Sequence, residues 1–304
     1  MVNPTAGRGR AGLVWSRLAS RAEELFPGAR IHSTTHQGEA MSIAGECAHE
    51  GAHRIVVIGG NGTVREVADG LLNSSNRRAG VELAHVPIGI GMDFARSLKL
   101  PLNPAAALER AAQGMAQPVD VGRIAYVGED AIARVNHFVN VASLGVSGPI
   151  VQRVNAGKRL RFVPGGPLFF LQSIRAILGY RFQKVAVQVD DRPPLEADVA
   201  VVAVAIGKFF GSGMAIAPDA LVDDGVFDIV ILRGRSRYYL VDQMNRIYNG
   251  GHRNLPDVTI LRGKRLSVEP LMENDRAILE IDGDSPGRIP ATFEILPKAL
   301  NVVR

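Results

Sequence analysis

Apolar residues recur along this chain at two spacings, and the switch between them divides it. Ala11 to Phe26 places Leu13, Leu18, Ala22 and Leu25 at helical intervals, with Trp15 as a packing residue, and Gln37 to His49 and Pro104 to Gln113 read as further helices. Between them, Ile31 to Thr35 predicts a strand. The run Ile55-Val56-Val57-Ile58 is unbroken and β-branched, as in strands buried on both faces of a parallel sheet, and Leu83 to Ile88 predicts another. Strand, helix, strand, helix in this order predicts a doubly wound α/β unit. The turn-rich stretch Met1 to Arg10 has almost no strand before it, although a sheet usually feeds such a loop, so a first strand cut short is expected.

From Asp120 the character changes. Strand-like segments follow closely at Val121 to Tyr126, Phe138 to Ala142, Val185 to Val189, Val199 to Ile206, Val226 to Leu232, Thr259 to Leu261, Arg265 to Val268 and Ile278 to Ile281. Many close strands joined by short turns predict a sandwich-like second domain, interrupted by helices at Pro149 to Asn155, Pro167 to Leu178 and Arg237 to Tyr248.

Composition narrows the class. The 304 residues, 46% of them apolar and 21% charged, suit two globular domains, and the longest apolar candidate, Val199 to Ile206, is far too short to span a bilayer. With no secretory h-region and a single cysteine, Cys47, the expected location is a reducing cytoplasm. A net charge of +5 favours anionic surfaces. The basic clusters Arg8/Arg10, Arg153/Lys158/Arg159/Arg161 and Arg233/Arg235/Arg237 read as solvated faces, and apart from Phe162 they lack the aromatic interleaving suited to single-stranded nucleic acid.

Chemistry concentrates in four stretches. Gly59-Gly60-Asn61-Gly62-Thr63 ends a strand and opens a helix, with Thr63 and Glu66 spaced as a capping box, so bare backbone and free helix amides are offered to an anion, with phosphate the first candidate. It lacks the Gly-Lys-Ser/Thr ending of a P-loop and the spacing of the dinucleotide fingerprint. Gly89-Ile90-Gly91-Met92-Asp93 forms a second glycine turn able to face the same pocket, with Asp93 as a cap for the short helix after it. Asp219, Asp223, Asp224 and Asp228 lie within ten positions beside a glycine turn, either as hard oxygen ligands for magnesium or calcium or as solvated acids. Asp282-Gly283-Asp284 either supplies a base for a hydroxyl or forms a hairpin turn. Leu168, Phe169, Phe170, Leu171 and Ile174 make an apolar helical stripe that serves as core or as an acyl-chain path.

In order, these blocks resemble the diacylglycerol kinase family of bacterial lipid kinases, relatives of sphingosine kinases and, in the first domain, of NAD kinases: Asn3-Pro4 with Gly7, Gly59 to Thr63, Pro87 to Ala95, Gly211 to Gly225, and Asp282-Gly283-Asp284. The resemblance covers nearly the whole chain. It implies an NAD-kinase-like α/β nucleotide domain at 1–118, a β-sandwich domain at 119–298, and a tail, 299–304, returning to the first domain, with the active site between them. It implies that ATP contacts Asn3, Thr34 and the stretch Gly59, Gly60, Asn61, Gly62, Thr63, Val64, Arg65. A structural magnesium is implied at Leu221, Asp224 and Val226, and Asp284 in the place of the family's catalytic Glu, as base toward a lipid hydroxyl. A lipid substrate implies peripheral contact with an anionic membrane surface.

Several positions depart from the family pattern. Asn61 stands for Asp, Arg65 for Asn, Ile90 and Met92 for Thr and Asn, and Asp284 is one methylene shorter than Glu, which moves a carboxylate by about 1 Å and can cost on the order of 100-fold in rate. Two functions are therefore carried forward. One is an ATP-dependent kinase of a diacylglycerol-like or sphingoid lipid. The other is an impaired or repurposed relative that binds a lipid or nucleotide, or phosphorylates a non-lipid alcohol. An NAD kinase fits less well, because that family lacks the Asp224 turn.

Overall fold

The computed structural model describes residues 1–73, 80–156 and 165–304. Lys158, Arg159, Arg161 and Phe162 lie outside the described residues, as does the side chain of Leu168. The N-terminal part contains α1 (Arg10–Leu25), α2 (Glu39–His49), β1 (Arg54–Gly59), α3 (Asn61–Asn73), β2 (Glu82–Pro87), α4 (Asp93–Ser97) and α5 (Pro104–Gln113). Strands β1 and β2 pair in parallel, and Ile55, Val57, Ile58, Leu83, Ala84 and Val86 are buried because helices cover both faces. The expected strand at Ile31 to Thr35 does not form. Only Ser33 makes a bridge, to Val2, which also bridges Ile58, so the connection is held by isolated residues.

The second part comprises β3 (Ala116–Gly128), β4 (Ala133–Phe138), β5 (Val141–Gly145), α6 (Ser147–Ala156), α7 (Gly165–Gly179), β6 (Gln183–Val189), β7 (Leu195–Ala205), β8 (Phe227–Arg233), α8 (Arg237–Tyr248), β9 (Val258–Gly263), β10 (Arg265–Pro270), β11 (Leu279–Ile281) and β12 (Gly287–Val303). The architecture is an α/β domain followed by a β-sandwich. Strand β7 shows why its run Val199 to Ile206 does not alternate. Val199, Val202 and Val204 enter the core between the sheet layers, whereas Ala200, Val201 and Ala203 meet the apolar cover of α6, α7 and α8. Both faces are buried, so both need apolar side chains.

Two features differ from the sequence expectation. The segment Phe138 to Ala142 is the junction of two strands, β4 and β5, turned at Val139-Asn140. Strand β12, 17 residues long, has no counterpart among the expected strands. Its inward residues Ile289, Ala291, Phe293 and Ile295 do alternate, but Pro290 and Pro297 break the pattern. Both prolines sit where the pairing with β3 shifts register, between Arg288 and Ala291 and between Leu296 and Leu300, so bulges absorb the missing N–H donors. Past the second bulge, Asn301 and Val302 pair in parallel with Glu82 and Leu83 of β2. One strand thus runs through the sandwich and into the α/β sheet.

Helices α2 and α3 cross at Gly70. A Cβ there would lie 2.2 Å from the Met41 carbonyl oxygen, whereas one on Gly45 would meet its nearest neighbour, the Gly70 carbonyl, at 3.6 Å. Gly70→Ala should destabilise the protein by about 1–3 kcal/mol through overpacking, while Gly45→Ala should be tolerated. Thermal or urea unfolding of the two variants checks the contrast.

Candidate active site at the domain junction

Strand β1 ends at Gly59, and α3 begins at Asn61, three residues earlier than a Thr63 cap would allow. Thr63 lies inside the helix, its Oγ1 accepting from Asn3 Nδ2 at 2.9 Å, and Glu66 accepts from the Gly38 N–H at 2.9 Å, so no capping box forms. Gly59 is required by this packing, since a Cβ there would stand 2.9 Å from Thr63 Oγ1. Asn3 Oδ1 accepts from both the N–H and the hydroxyl of Thr5, at 3.1 and 2.8 Å, which shapes the loop ahead of α1 against the start of α3. Beneath the turn, His85 is fully buried and bonded to the Gly59 carbonyl at 3.0 Å. Burial pushes its pKa down to about 4, leaving the imidazole neutral. The helix opening keeps its bias toward anions without a buried cation below it.

The second glycine turn faces the same space, but Asp93 does not cap α4. Its carboxylate is buried and accepts from the Ser212 N–H at 3.0 Å, tying this turn to the second domain. Burial raises the Asp93 pKa, and its Oδ1 has no hydrogen-bond partner. A second tie comes from Ser97 Oγ, which donates to Asn140 Oδ1 at 2.8 Å, while Asn140 Nδ2 donates to the Phe209 carbonyl at 2.8 Å.

The hairpin after β11 supplies the opposite wall. Asp282 and Gly283 adopt positive φ angles of 47° and 93°, and Ile281 and Asp284 exchange backbone hydrogen bonds at 2.8 and 3.0 Å across the turn. Asp282 is structural: its two oxygens accept from the Val139 and Val141 N–H groups at 2.7 and 3.1 Å, and burial raises its pKa to about 6. Asp284 instead meets Arg65 of α3, Oδ2 to Nη2, at 2.7 Å. Arg65 also pairs with buried Asp69 one turn on, at 3.1 Å, and Asp69 Oδ1 accepts from the N–H and Nδ1 of His137 at 2.8 and 2.9 Å. A chain of alternating charge therefore runs from the cleft to the sandwich wall. Arg65, which the resemblance implied as an ATP contact, is its centre.

Around these walls lies a continuous cavity of about 780 Å³. At one end it is lined by the loop Asn3–Gly9, Thr34, Gly60, Asn61, Gly62, Thr63 and the Gly89–Asp93 turn. At the other it runs between α6, α7 and α8, against Ile150, Val154, Phe169, Phe210, Met214 and Met244, all buried. Asp284 and Glu280 line it as well. Gly59, Val64 and Arg65 do not line it; Val64 is wholly buried in the core. Of the apolar stripe on α7, Phe169 reaches the cavity, Phe170 and Leu171 are exposed, and Ile174 packs on the neighbouring core. Glu66, which spacing marked only as a capping-box residue, lines it too, and so do Glu280 and Ser147, which spacing did not single out and which meet there when β11 and α6 converge.

The Asp224 turn is arranged differently from a cation site. Asp224 forms a close ion pair with Arg262 and accepts from the Val226 N–H at 3.3 Å, and Asp120 bonds the Gly225 N–H at 2.7 Å. Among the described residues no group of three or more His, Cys, Asp or Glu side chains is placed to hold a metal. A magnesium ion needs about six oxygens. With its one carboxylate already held by a guanidinium, the set Leu221, Asp224 and Val226 fits an ion-paired turn better than a metal centre.

Comparison with known proteins adds the decisive observation. Residues 140–304 match the YegS C-terminal NAD kinase beta sandwich-like domain, and residues 1–124 match the diacylglycerol kinase catalytic domain. The chain belongs to the diacylglycerol kinase and YegS-like lipid kinase family. Among its relatives, the diacylglycerol kinase of Bacillus subtilis (strain 168) is 25% identical over 302 residues, covering 99% of this chain and 94% of that one. That of Mycobacterium tuberculosis (strain ATCC 25618 / H37Rv) is 27% identical, covering 100% and 94%. Two solved structures from Bacillus anthracis str. Sterne, one named a diacylglycerol kinase, share the fold with TM-scores of 0.78 and 0.71 at 24% and 23% identity, covering 99% of this chain and 95% and 94% of theirs.

Two predictions follow from this lipid-kinase-family cleft. Arg65→Met leaves buried Asp69 without its cation and should destabilise the fold by about 3 kcal/mol at neutral pH, measured by denaturant unfolding. Glu280 is buried, and burial raises its pKa to about 8. The folded protein then keeps that proton after the unfolded chain has released it near the ordinary carboxyl range, so this site's contribution falls as pH rises toward about 8. Melting curves from pH 5 to 9 should show a smaller decline for Glu280→Gln than for the parent protein.

Proposed function

We propose that this protein is an ATP-dependent lipid kinase that phosphorylates the hydroxyl of a diacylglycerol-like or sphingoid lipid. The observation that carries the reading is the continuity of the cavity, which joins an anion-favouring helix opening, with Asp284 in its lining, to an apolar chamber. Family membership supports ATP use and the lipid class. In this reading residues 1–118 hold the nucleotide, 119–298 the lipid, and 299–304 return to the nucleotide side. The α3 amides and Asn3, Thr34, Gly60, Asn61, Gly62 and Thr63 receive the triphosphate, with Gly59, Val64 and Arg65 shaping the turn from behind.

Asp284 then accepts the proton of the lipid hydroxyl as its oxygen attacks the terminal phosphorus, and the bond to the leaving ADP oxygen breaks. Arg65 fixes the Asp284 carboxylate through the 2.7 Å contact. Asn61 Oδ1 and Asp93 Oδ1, both buried without partners and both on residues lining the cavity, fit oxygen ligands for a magnesium ion arriving with the nucleotide. Such an ion would neutralise charge on the phosphates. Peripheral contact with an anionic membrane is part of the proposal, supported by exposed Phe170, Leu171 and Leu178 on α7 together with the net charge of +5.

A second reading, a relative that binds lipid or nucleotide with little transfer, is favoured by the same Arg65 contact, which engages the base, and by Asn61 in place of Asp. The test is transfer of labelled phosphate from ATP with magnesium to mixed lipid alcohols. The kinase reading predicts labelled lipid phosphate, and Asp284→Asn should lower kcat about 100-fold or more. Transfer no greater than that of denatured protein, combined with gain of activity in Asn61→Asp with Asp284→Glu, would establish the second reading instead.

A further inference from the structure

The chamber wall beside the hairpin carries a short chain of polar side chains that the phosphoryl-transfer step leaves unused. Glu280 on β11 lies opposite Ser143 on β5, and Ser143 Oγ is 2.6 Å from Glu280 Oε2. Ser143 Oγ is also 2.8 Å from Ser147 Oγ, at the start of α6. The other Glu280 oxygen accepts from the Gly283 N–H at 2.7 Å. Glu280 and Ser147 line the cavity, while Ser143 lies wholly buried behind them. The neighbours of Ser147 along the wall, Val146 and Ile150, are apolar.

A hydroxyl has one hydrogen to give, so this chain has a direction. With a proton on Glu280, the carboxyl donates to Ser143, Ser143 donates to Ser147, and the Ser147 hydrogen is left for the cavity. With Glu280 ionised, every bond reverses and Ser147 offers only lone pairs. Burial, with Asp282 of the same hairpin and Asp93 of α4 adding to it, holds the Glu280 proton in place at neutral pH. A donor facing an apolar chamber is complementary to a carbonyl, the acceptor that an acyl ester places next to a glycerol hydroxyl and that an ether linkage lacks.

We propose that Ser147 is a specificity-determining residue. Its hydroxyl, directed into the cavity by Ser143 and Glu280, donates to an ester carbonyl of the lipid and so selects acyl-ester lipid alcohols over their ether-linked analogues. The inference rests on the lipid-kinase reading for the identity of the chamber, and its test uses binding alone, so it stays readable if no phosphate is transferred.

Dioleoylglycerol and its dioleyl ether analogue, each in mixed detergent micelles, are titrated against the full chain at pH 7. The parent protein should bind the ester about tenfold more tightly, the equivalent of one hydrogen bond. Ser147→Ala should bring the ratio to within about twofold. Glu280→Gln should keep it, because its amide N–H₂ can donate to Ser143 while its carbonyl accepts from Gly283. Equal binding of the two lipids by the parent protein, a preference that survives Ser147→Ala, or loss of the preference in a folded Glu280→Gln protein would each overturn the proposal. Absence of phosphoryl transfer to either lipid, with the binding ratio intact, would count against the kinase reading and not against this one.

Discussion

Pairing of β12 with β3 is the constraint on which the molecule depends. The two strands stay hydrogen-bonded from Gly287↔Gly128 to Val303↔Ala116, so the segment that leaves the first domain and the segment that returns to it form one ribbon. Ile289, Ala291, Phe293 and Ile295 anchor that ribbon in the sandwich core, while Leu300 and Val302 are buried in the core of the α/β part. A two-strand hinge of this kind resists shear, because sliding by one residue would turn every inward side chain outward. The ribbon thus ties the two parts together beside the cleft.

Across that cleft the charges are ordered. Carboxylates dominate the walls at Asp93, Glu280, Asp282 and Asp284, and burial raises the pKa of the first three. Each of these three has a backbone partner: Asp93 has Ser212 from the second part, whereas Asp282 has Val139 and Val141, and Glu280 has Gly283, within their own part. Asp284, which lines the cavity with them, is instead held across the cleft by a side chain of the first part, Arg65. An acid that is oriented yet open to the cavity is the one suited to proton transfer, whereas acids consumed by backbone N–H groups are suited to holding shape.

Much of this was legible in the sequence for physical reasons. Runs buried on both faces, such as Ile55 to Ile58 and Val199 to Ile206, advertise themselves by composition, and the helix expected at Arg237 to Tyr248 forms with those bounds. Strand β12 was hidden because Pro290 and Pro297 argue against a central strand until their bulges are seen. The family resemblance implied Asn3, Thr34 and Asn61 as nucleotide contacts, and all three line the cavity. It could not show that Thr63 and Asn3 spend their hydrogen bonds on one another, that Arg262 sits on Asp224, or that Arg65 joins residues 219 positions apart. Contacts of that kind follow from tertiary closure, which no local pattern encodes.

The central claim is that one cavity brings nucleotide and lipid together at Asp284. The most direct measurement is a crystal structure with a non-hydrolysable ATP analogue and a diacylglycerol bound together. The account predicts the triphosphate against the Gly60–Thr63 helix opening, the acyl chains beside Phe169 and Met244, and the lipid hydroxyl about 3–3.5 Å from both the terminal phosphorus and the Asp284 carboxylate. A lipid seated outside the chamber, or a nucleotide bound away from the α3 opening, would contradict it.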